Sequence, residues 1–252
     1  MNILVCIKRV PATGGSVSLT ADAQEIDTRF LGFAISPHEE CAVEEAIQIV
    51  EKQGGGVTAM TLGVDASVEQ LRDAMAMGAE RAVLLETDGR EWDGGATAGA
   101  LVNAIRAEAK PFDLLLFGNE SADAGGYQVP IRVAHALDMP CVTGVKALEI
   151  KDGQAIAKRE VKGGWEVFAV PLPAVIAVKE GINLPRYPSF QGRLKAKKKE
   201  LPRLKPQHPG NALEKVRLVL PPAQAGQQAE VIGKGKEAAP QTVELFKKLG
   251  VL

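Results

Sequence analysis

With 252 residues, 46% of them hydrophobic and 24% charged, the chain is long enough for one large α/β domain plus an appendage. A core of that size needs neither a disulfide nor a metal as a staple. Thirty basic residues against 31 acidic leave a formal net charge of -1, which argues against a surface built as a whole for nucleic acid. No apolar run is long enough for direct membrane insertion.

The three cysteines, Cys6, Cys41 and Cys141, are scattered without a Cys-x-x-Cys. They read as buried thiols of a reducing compartment. The N-terminus enters a strand-like run at once, so the expected localisation is cytoplasmic.

Ile3 to Ile7 predicts a short strand buried on both faces. A helix follows, with Ser36 as its cap, Pro37 at the first position and Glu39 completing a capping box. Val43, Ala46, Ile47 and Val50 recur at helical spacing, Glu44-Glu45 reads as a solvated face, and Gly54-Gly55-Gly56 ends the element. Val57 to Leu62 predicts a strand, Ser67 to Met77 a helix closed by Gly78, and Ala82 to Leu85 a third strand. A helix over Thr97 to Ala109, a strand over Leu114 to Phe117 and a helix over Gln128 to Leu137 continue the series. This alternation predicts an α/β fold: a doubly wound, mostly parallel sheet with helices on both faces.

After Cys141 the pattern becomes a β-hairpin and meander. Asp152-Gly153 turns Val142–Ile150 into Gln154–Val161, and Gly163-Gly164 turns into Trp165–Val170. Ala174 to Val178 is a further strand. From Leu184 onward Pro and Lys dominate, and only Thr242 to Leu249 looks helical again. The expected organisation is a compact α/β domain over 1–185 and an extended C-terminal arm over 186–252 that lies on a partner.

In a doubly wound sheet, ligands bind beyond the carboxyl ends of the strands. Lys8–Thr13, Ser36–His38, Leu62-Gly63 and the loop Gly118–Gln128 fall there. That loop leads into a helix N-terminus, a favourable place for a phosphate, and reads equally as a Gly-rich turn. The sequence has no Walker motif, no G-x-G-x-x-G after a strand, no G-x-S-x-G elbow and no His/Cys metal spacing. The chain therefore reads as a binder, with no catalytic residues and no metal site. Arg193, Lys195, Lys197, Lys198 and Lys199 form a basic run beside Arg186, Tyr187 and Phe190, which reads as a solvated linker or an electrostatic docking element.

The string Asn183-Leu184-Pro185-Arg186-Tyr187, continuing to Lys195-Ala196-Lys197-Lys198-Lys199, resembles the signature of electron transfer flavoprotein beta subunits. Lys8-Arg9-Val10, the A-V-E-E-A core within Pro37–Ala46, Ala74–Ala79, Lys158-Arg159-Glu160 and Leu172–Val175 resemble blocks of that family in the same order. The resemblance covers residues 1 to 205. It implies an adenine-nucleotide-hydrolase-like fold and a heterodimer with an alpha subunit that holds the redox-active FAD.

Carried over by position, it implies an AMP pocket of Cys6, Ser36, Leu62, Ser121, Asp123, Ala124, Tyr127, Gln128 and Val129. It places Thr13 and His38 near the partner-held FAD, where His38, with a pKa in the physiological range, is expected to tune the flavin through its charge. It also makes residues 183–199 a recognition loop for acyl-CoA or other flavin dehydrogenases. Phe190 is its expected anchor, Lys195, Lys197, Lys198 and Lys199 its charged rim, and Glu160 a contact to the alpha subunit. Electrons would then pass to a quinone-linked oxidoreductase.

A bifurcating relative would hold a second FAD in place of AMP and tends to carry a D-G-D-T-x-Q-V-G-P-like loop. Asp123–Pro130 keeps Gln128-Val129 but lacks the second Asp and the Thr. A free-standing adenine-nucleotide sensor of the same fold is the other alternative, and the long arm counts against it.

Overall fold

The computed structural model describes residues 1–12, 17–210, 212–221 and 231–252. Its centre is β1 (Asn2–Cys6), whose run of apolar residues is buried from both sides. Beside it lie β4 (Gly56–Gly63) and β6 (Leu114–Gly118), both parallel to it. Outward from β4 come β5 (Arg81–Glu86) and the two-residue β11 (Arg203–Leu204); outward from β6 come β10 (Ala174–Val178) and β7 (Cys141–Lys151). These seven strands are parallel. The hairpin-linked β8 (Gln154–Val161) and β9 (Gly164–Pro171) then extend the sheet antiparallel. A separate two-stranded ladder joins β2 (Arg9–Pro11) to β3 (Phe33–Ile35).

Alternation along the strands divides the core into two layers. Ile3, Val5, Leu114, Leu116, Ile176 and Val178 face α1 (Pro37–Gln53) and α2 (Val68–Met77). Leu4, Cys6, Leu115, Phe117, Val175 and Ala177 face α3 (Gly94–Arg106) and α4 (Val129–Leu137). Helices on both faces of a mostly parallel sheet are the expected doubly wound architecture.

Turn chemistry accounts for several ends. Asp152 and Gly153 both take positive φ, 50° and 73°, as the tight hairpin requires. Asp93 caps α3 by accepting from Ala96 N at 2.8 Å, a cap that the sequence reading does not identify. At α1, Pro37 occupies the first position as expected, but the capping box does not form. Ser36 makes no side-chain cap; its Oγ instead accepts from Ala122 N at 3.2 Å.

The strand β10 follows the meander in the chain and returns to the middle of the sheet, between β6 and β7. One element departs from the sequence reading. Residues Phe190–Lys198 form a helix, α5, packed on α2, where an irregular loop is expected. Its N-cap Ser189 accepts from Gly192 N at 3.0 Å, and buried Ala196 seats it against the head. The helix expected over Thr242 to Leu249 is α6 (Ala238–Lys248), which starts four residues earlier. Among the described residues, no helix is long and apolar enough to cross a membrane.

Candidate functional site

The chain leaves β1 toward β4 on one side and reaches β6 on the other, so the sheet's topological switch point lies between β1 and β6. Ligands of doubly wound sheets bind in such a crevice, at the carboxyl ends of the strands. Cys6 ends β1, Ser36 enters α1, and Ser121–Gln128 connects β6 to α4. A cleft of about 400 Å³ opens here, lined by Ser36, His38, Glu120, Ser121, Asp123 and Ala124 among others. Ser36, Ser121, Asp123 and Ala124 of the expected nucleotide set thus meet, together with His38.

Cys6, Leu62 and Val129 pack instead into the core layer under α3 and α4, and Tyr127 and Gln128 lie outside the cleft wall on the approach to α4. Burial pushes the Cys6 thiol far up, so it serves as an apolar wall. Thr13 lies outside the described residues.

The loop is held by its own side chains. Asp123 Oδ1 accepts from Lys8 Nζ and from Ala124 N, both at 2.7 Å, and Ser121 O accepts from Gly125 N at 2.9 Å. Burial raises the Asp123 carboxyl, but the Lys8 ammonium outweighs it and the net shift is downward. Asn119 Oδ1 accepts from Gly144 N at 2.7 Å, fixing the loop's base to β7.

Among the described residues, the N–H groups of Gly126 and Tyr127 form no backbone hydrogen bond. Tyr127 has φ 55°, an uncommon left-handed conformation for a non-glycine residue, at the turn into α4. Free N–H groups at a helix N-terminus suit an anion. The His38 imidazole is pushed below its ordinary range by burial, against the opposing pull of Glu120 at 3.9 Å.

Lys8, in the segment expected at the ligand edge but outside the expected nucleotide set, meets the loop at Asp123, and Glu39 lies buried at the entry of α1. Glu39 is only 7% exposed, and burial pushes its carboxyl up to about 8. No single-residue motif signals it; only the helix-entry position next to Ser36 points there.

A second site forms where the signature string meets α1. Asn183 Nδ2 donates to Cys41 O at 3.0 Å and to Glu45 Oε2 at 2.9 Å. Arg186 bonds Glu44 through Nε at 2.9 Å and Nη2 at 3.1 Å, and Glu51 through Nη1 at 2.6 Å. Glu44 and Glu45 are therefore buried partners of the signature residues, not a solvated face. Burial raises the Glu44 carboxyl, but Arg186 and Gln48 hold it below the usual range.

Beyond this clasp, Leu184, Tyr187 and Phe190 stand exposed, Phe190 by 76%, at the start of α5. Lys195, Lys197 and Lys198 are exposed on the same helix. Lys199 differs: its Nζ donates to Ala79 O at 3.2 Å and Glu80 O at 3.0 Å, tying the end of α5 to the head. On the meander, exposed Glu160 pairs with Trp165 across β8 and β9, beside exposed Val167.

The described arm runs along its own head before α6. His208 meets Trp92 edge-on at 4.5 Å, Ala212 N donates to Asp93 Oδ2 at 2.7 Å, and Leu218 N to Ala23 O at 2.8 Å. Val243, Phe246 and Leu249 of the α6 region, with Val231 and Ile232, are exposed.

Fold and crevice together define a doubly wound α/β protein with a cleft at its switch point and an exposed apolar segment at the start of α5. Residues 26–209 match the model of the electron transfer flavoprotein domain. The chain is 40% identical over 207 residues to the electron transfer flavoprotein subunit beta of Bacillus subtilis, covering 81% of this chain and 79% of that one. It is 37% identical over 226 residues to the subunit beta of Syntrophomonas wolfei, covering 89% and 88%, and 32% identical over 202 residues to that of Dictyostelium discoideum, covering 80% of each. The chain belongs to the electron transfer flavoprotein family, and these relatives are its beta subunits.

Proposed function

We propose that this chain is the nucleotide-holding, partner-docking subunit of a heterodimeric electron transfer flavoprotein, with AMP bound structurally at the β1–β6 crevice. The observation that carries the reading is the loop Ser121–Gln128. Its Ser36, Lys8 and Asp123 contacts brace it, while the N–H groups of Gly126 and Tyr127, just ahead of the α4 N-terminus, form no backbone hydrogen bond. A phosphate fits those donors. About 400 Å³ sits near the lower end of the roughly 300–1,000 Å³ typical of ligand pockets, which favours a mononucleotide over a second FAD.

FAD, held by the alpha subunit, supplies the redox chemistry of the complex. This chain contributes support: His38 beside the cleft, the α6 region and the Glu160–Trp165 face toward the alpha subunit, and the Phe190 segment toward a flavin dehydrogenase such as an acyl-CoA dehydrogenase. Electrons then leave to a quinone-linked acceptor. The test is co-expression with the alpha subunit. The reading expects a one-to-one complex with a flavin spectrum, and no flavin on this chain purified alone; flavin retained by the isolated chain overturns it.

A further inference from the structure

The helix α5 has little of its own to keep it folded. It spans only nine residues, among them Arg193, Lys195, Lys197, Lys198 and Gly192. A helix this short is marginal in water, like charges three and four residues apart repel, and glycine is a poor helix former. Ala196 is its one buried residue. The order of α5 therefore comes from what it touches.

That contact is α2. Gly192 and Ala196, one turn apart, form the side of α5 that meets it. Gly192 lies so close that a Cβ there would stand 2.6 Å from Ala76 O, and Ala196 is 1% exposed. Arg72, one turn before Ala76 on α2, closes the carbonyl end of α5. Its Nη1 donates to Ala196 O and, at 2.6 Å, to Lys199 O. A cation at that end also suits the helix dipole. Lys199 returns the clasp from the other side, donating to Ala79 O and Glu80 O. Upstream, Asn183 and Arg186 hold the approach to α5 on α1. Tyr187 and Phe190 thus stand exposed between two polar clasps.

We propose that Arg72 is the positioning residue of the docking segment: it seats α5 on α2, so that Phe190 meets the flavin dehydrogenase on a helix already ordered. The inference rests on the docking reading of Phe190 given above. Arg72 acts through the carbonyls of α5. Without the guanidinium the segment must be ordered at the moment of encounter, and the binding energy of the anchor is spent on that ordering. Once the complex has formed its contacts are the same, so electron transfer within it keeps its rate. The signature is a raised KM for the flavoprotein with kcat unchanged.

The experiment measures steady-state reduction of the assembled two-chain complex by a purified acyl-CoA dehydrogenase with its acyl-CoA substrate. Arg72→Ala is expected to raise KM about tenfold with kcat within about twofold of wild type. Arg72→Lys keeps the charge but not the planar fork, and its KM is expected to fall between the two. Gly192→Ala separates seating from helicity: Ala is the better helix former, but its Cβ pushes α5 off Ala76 O, so KM is expected to rise about threefold. Hydrogen exchange of the amides of 190–199 quickens in Arg72→Ala and Gly192→Ala, with the rest of the complex unchanged. A wild-type KM in Arg72→Ala, beside a raised KM in Phe190→Ala, overturns the proposal. A fall in kcat at constant KM, or a KM in Gly192→Ala at or below that of wild type, overturns it too. Where Arg72→Ala does not assemble, a wild-type KM in Arg72→Lys has the same force. An unchanged KM in Phe190→Ala overturns the docking reading itself, a distinct failure.

Discussion

Arg186 closes on Glu44 across 142 residues of sequence, through its Nε at 2.9 Å, its Nη2 at 3.1 Å and its backbone N–H at 3.1 Å. Glu44 is 3% exposed, so this is a buried carboxylate satisfied by a forked guanidinium. The pair fixes the segment entering α5 to the flank of α1, and with it the direction in which Tyr187 and Phe190 project.

Removing the guanidinium leaves Glu44 buried and unpaired. Breaking a buried pair costs about 3–5 kcal/mol, and partial exposure of Arg186 lowers that toward about 2–3 kcal/mol. Arg186→Ala is therefore expected to lower the unfolding free energy from urea titration by that amount, with Arg186→Lys intermediate because an ammonium cannot reproduce the fork. Wild-type stability in Arg186→Ala would show the clasp to be incidental.

Phe190 stands free at the first position of α5, held by a helix that is itself fixed to α2. An exposed aromatic on a rigid base has the character of a binding anchor. Phe190→Ala is expected to slow reduction of the complex by its dehydrogenase at least tenfold, with thermal stability and nucleotide content unchanged. Stopped-flow reduction checks this, and equal rates assign the docking role elsewhere.

Glu39 also marks the stability curve. Its folded-state carboxyl is raised by burial to about 8 from an ordinary value of 4.5. A group raised in the folded state contributes stability that is complete below the unfolded value and lost as pH climbs through the folded one. Wild-type complex stripped of nucleotide is expected to lose stability between about pH 5 and pH 8, and Glu39→Gln to flatten that slope. Parallel melting curves for the two proteins across this window would contradict the assignment.

His38, held toward its neutral form by burial, carries little charge at neutral pH. Placed beside the flavin, His38→Gln leaves the flavin potential unchanged near pH 7.5 and alters it only in acidic solution, where the imidazole gains its proton. Spectroelectrochemical titration under both conditions tests this; a difference at pH 7.5 as large as that at low pH would mean the effect is not charge.

Much of the fold is legible locally. Asp152-Gly153 specifies its turn, Gly54 and Gly78 stop their helices, and the apolar runs Ile3–Ile7 and Leu114–Phe117 could only be strands buried on both faces. What escaped is non-local. Nothing in Ala174–Val178 says that the strand returns between β6 and β7, because strand order is a property of the whole sheet. The helix α5 has no apolar stripe, and it forms because Ala196 meets α2 and Ser189 caps its start. Glu44-Glu45 reads as solvated until Asn183 and Arg186 arrive from the far end of the chain. The cleft shows the same division: the Ser121–Gln128 loop is visible as a Gly-bearing turn into a helix, whereas Lys8 meets it only through folding.

The central claim is that the crevice beside β1 holds a mononucleotide while the redox flavin belongs to the partner. The most direct measurement is chromatographic identification and quantitation of every nucleotide released on denaturing the purified two-chain complex near neutral pH. The account predicts one AMP and one FAD per heterodimer; two FAD and no AMP, or no adenine nucleotide beyond a single FAD, would contradict it.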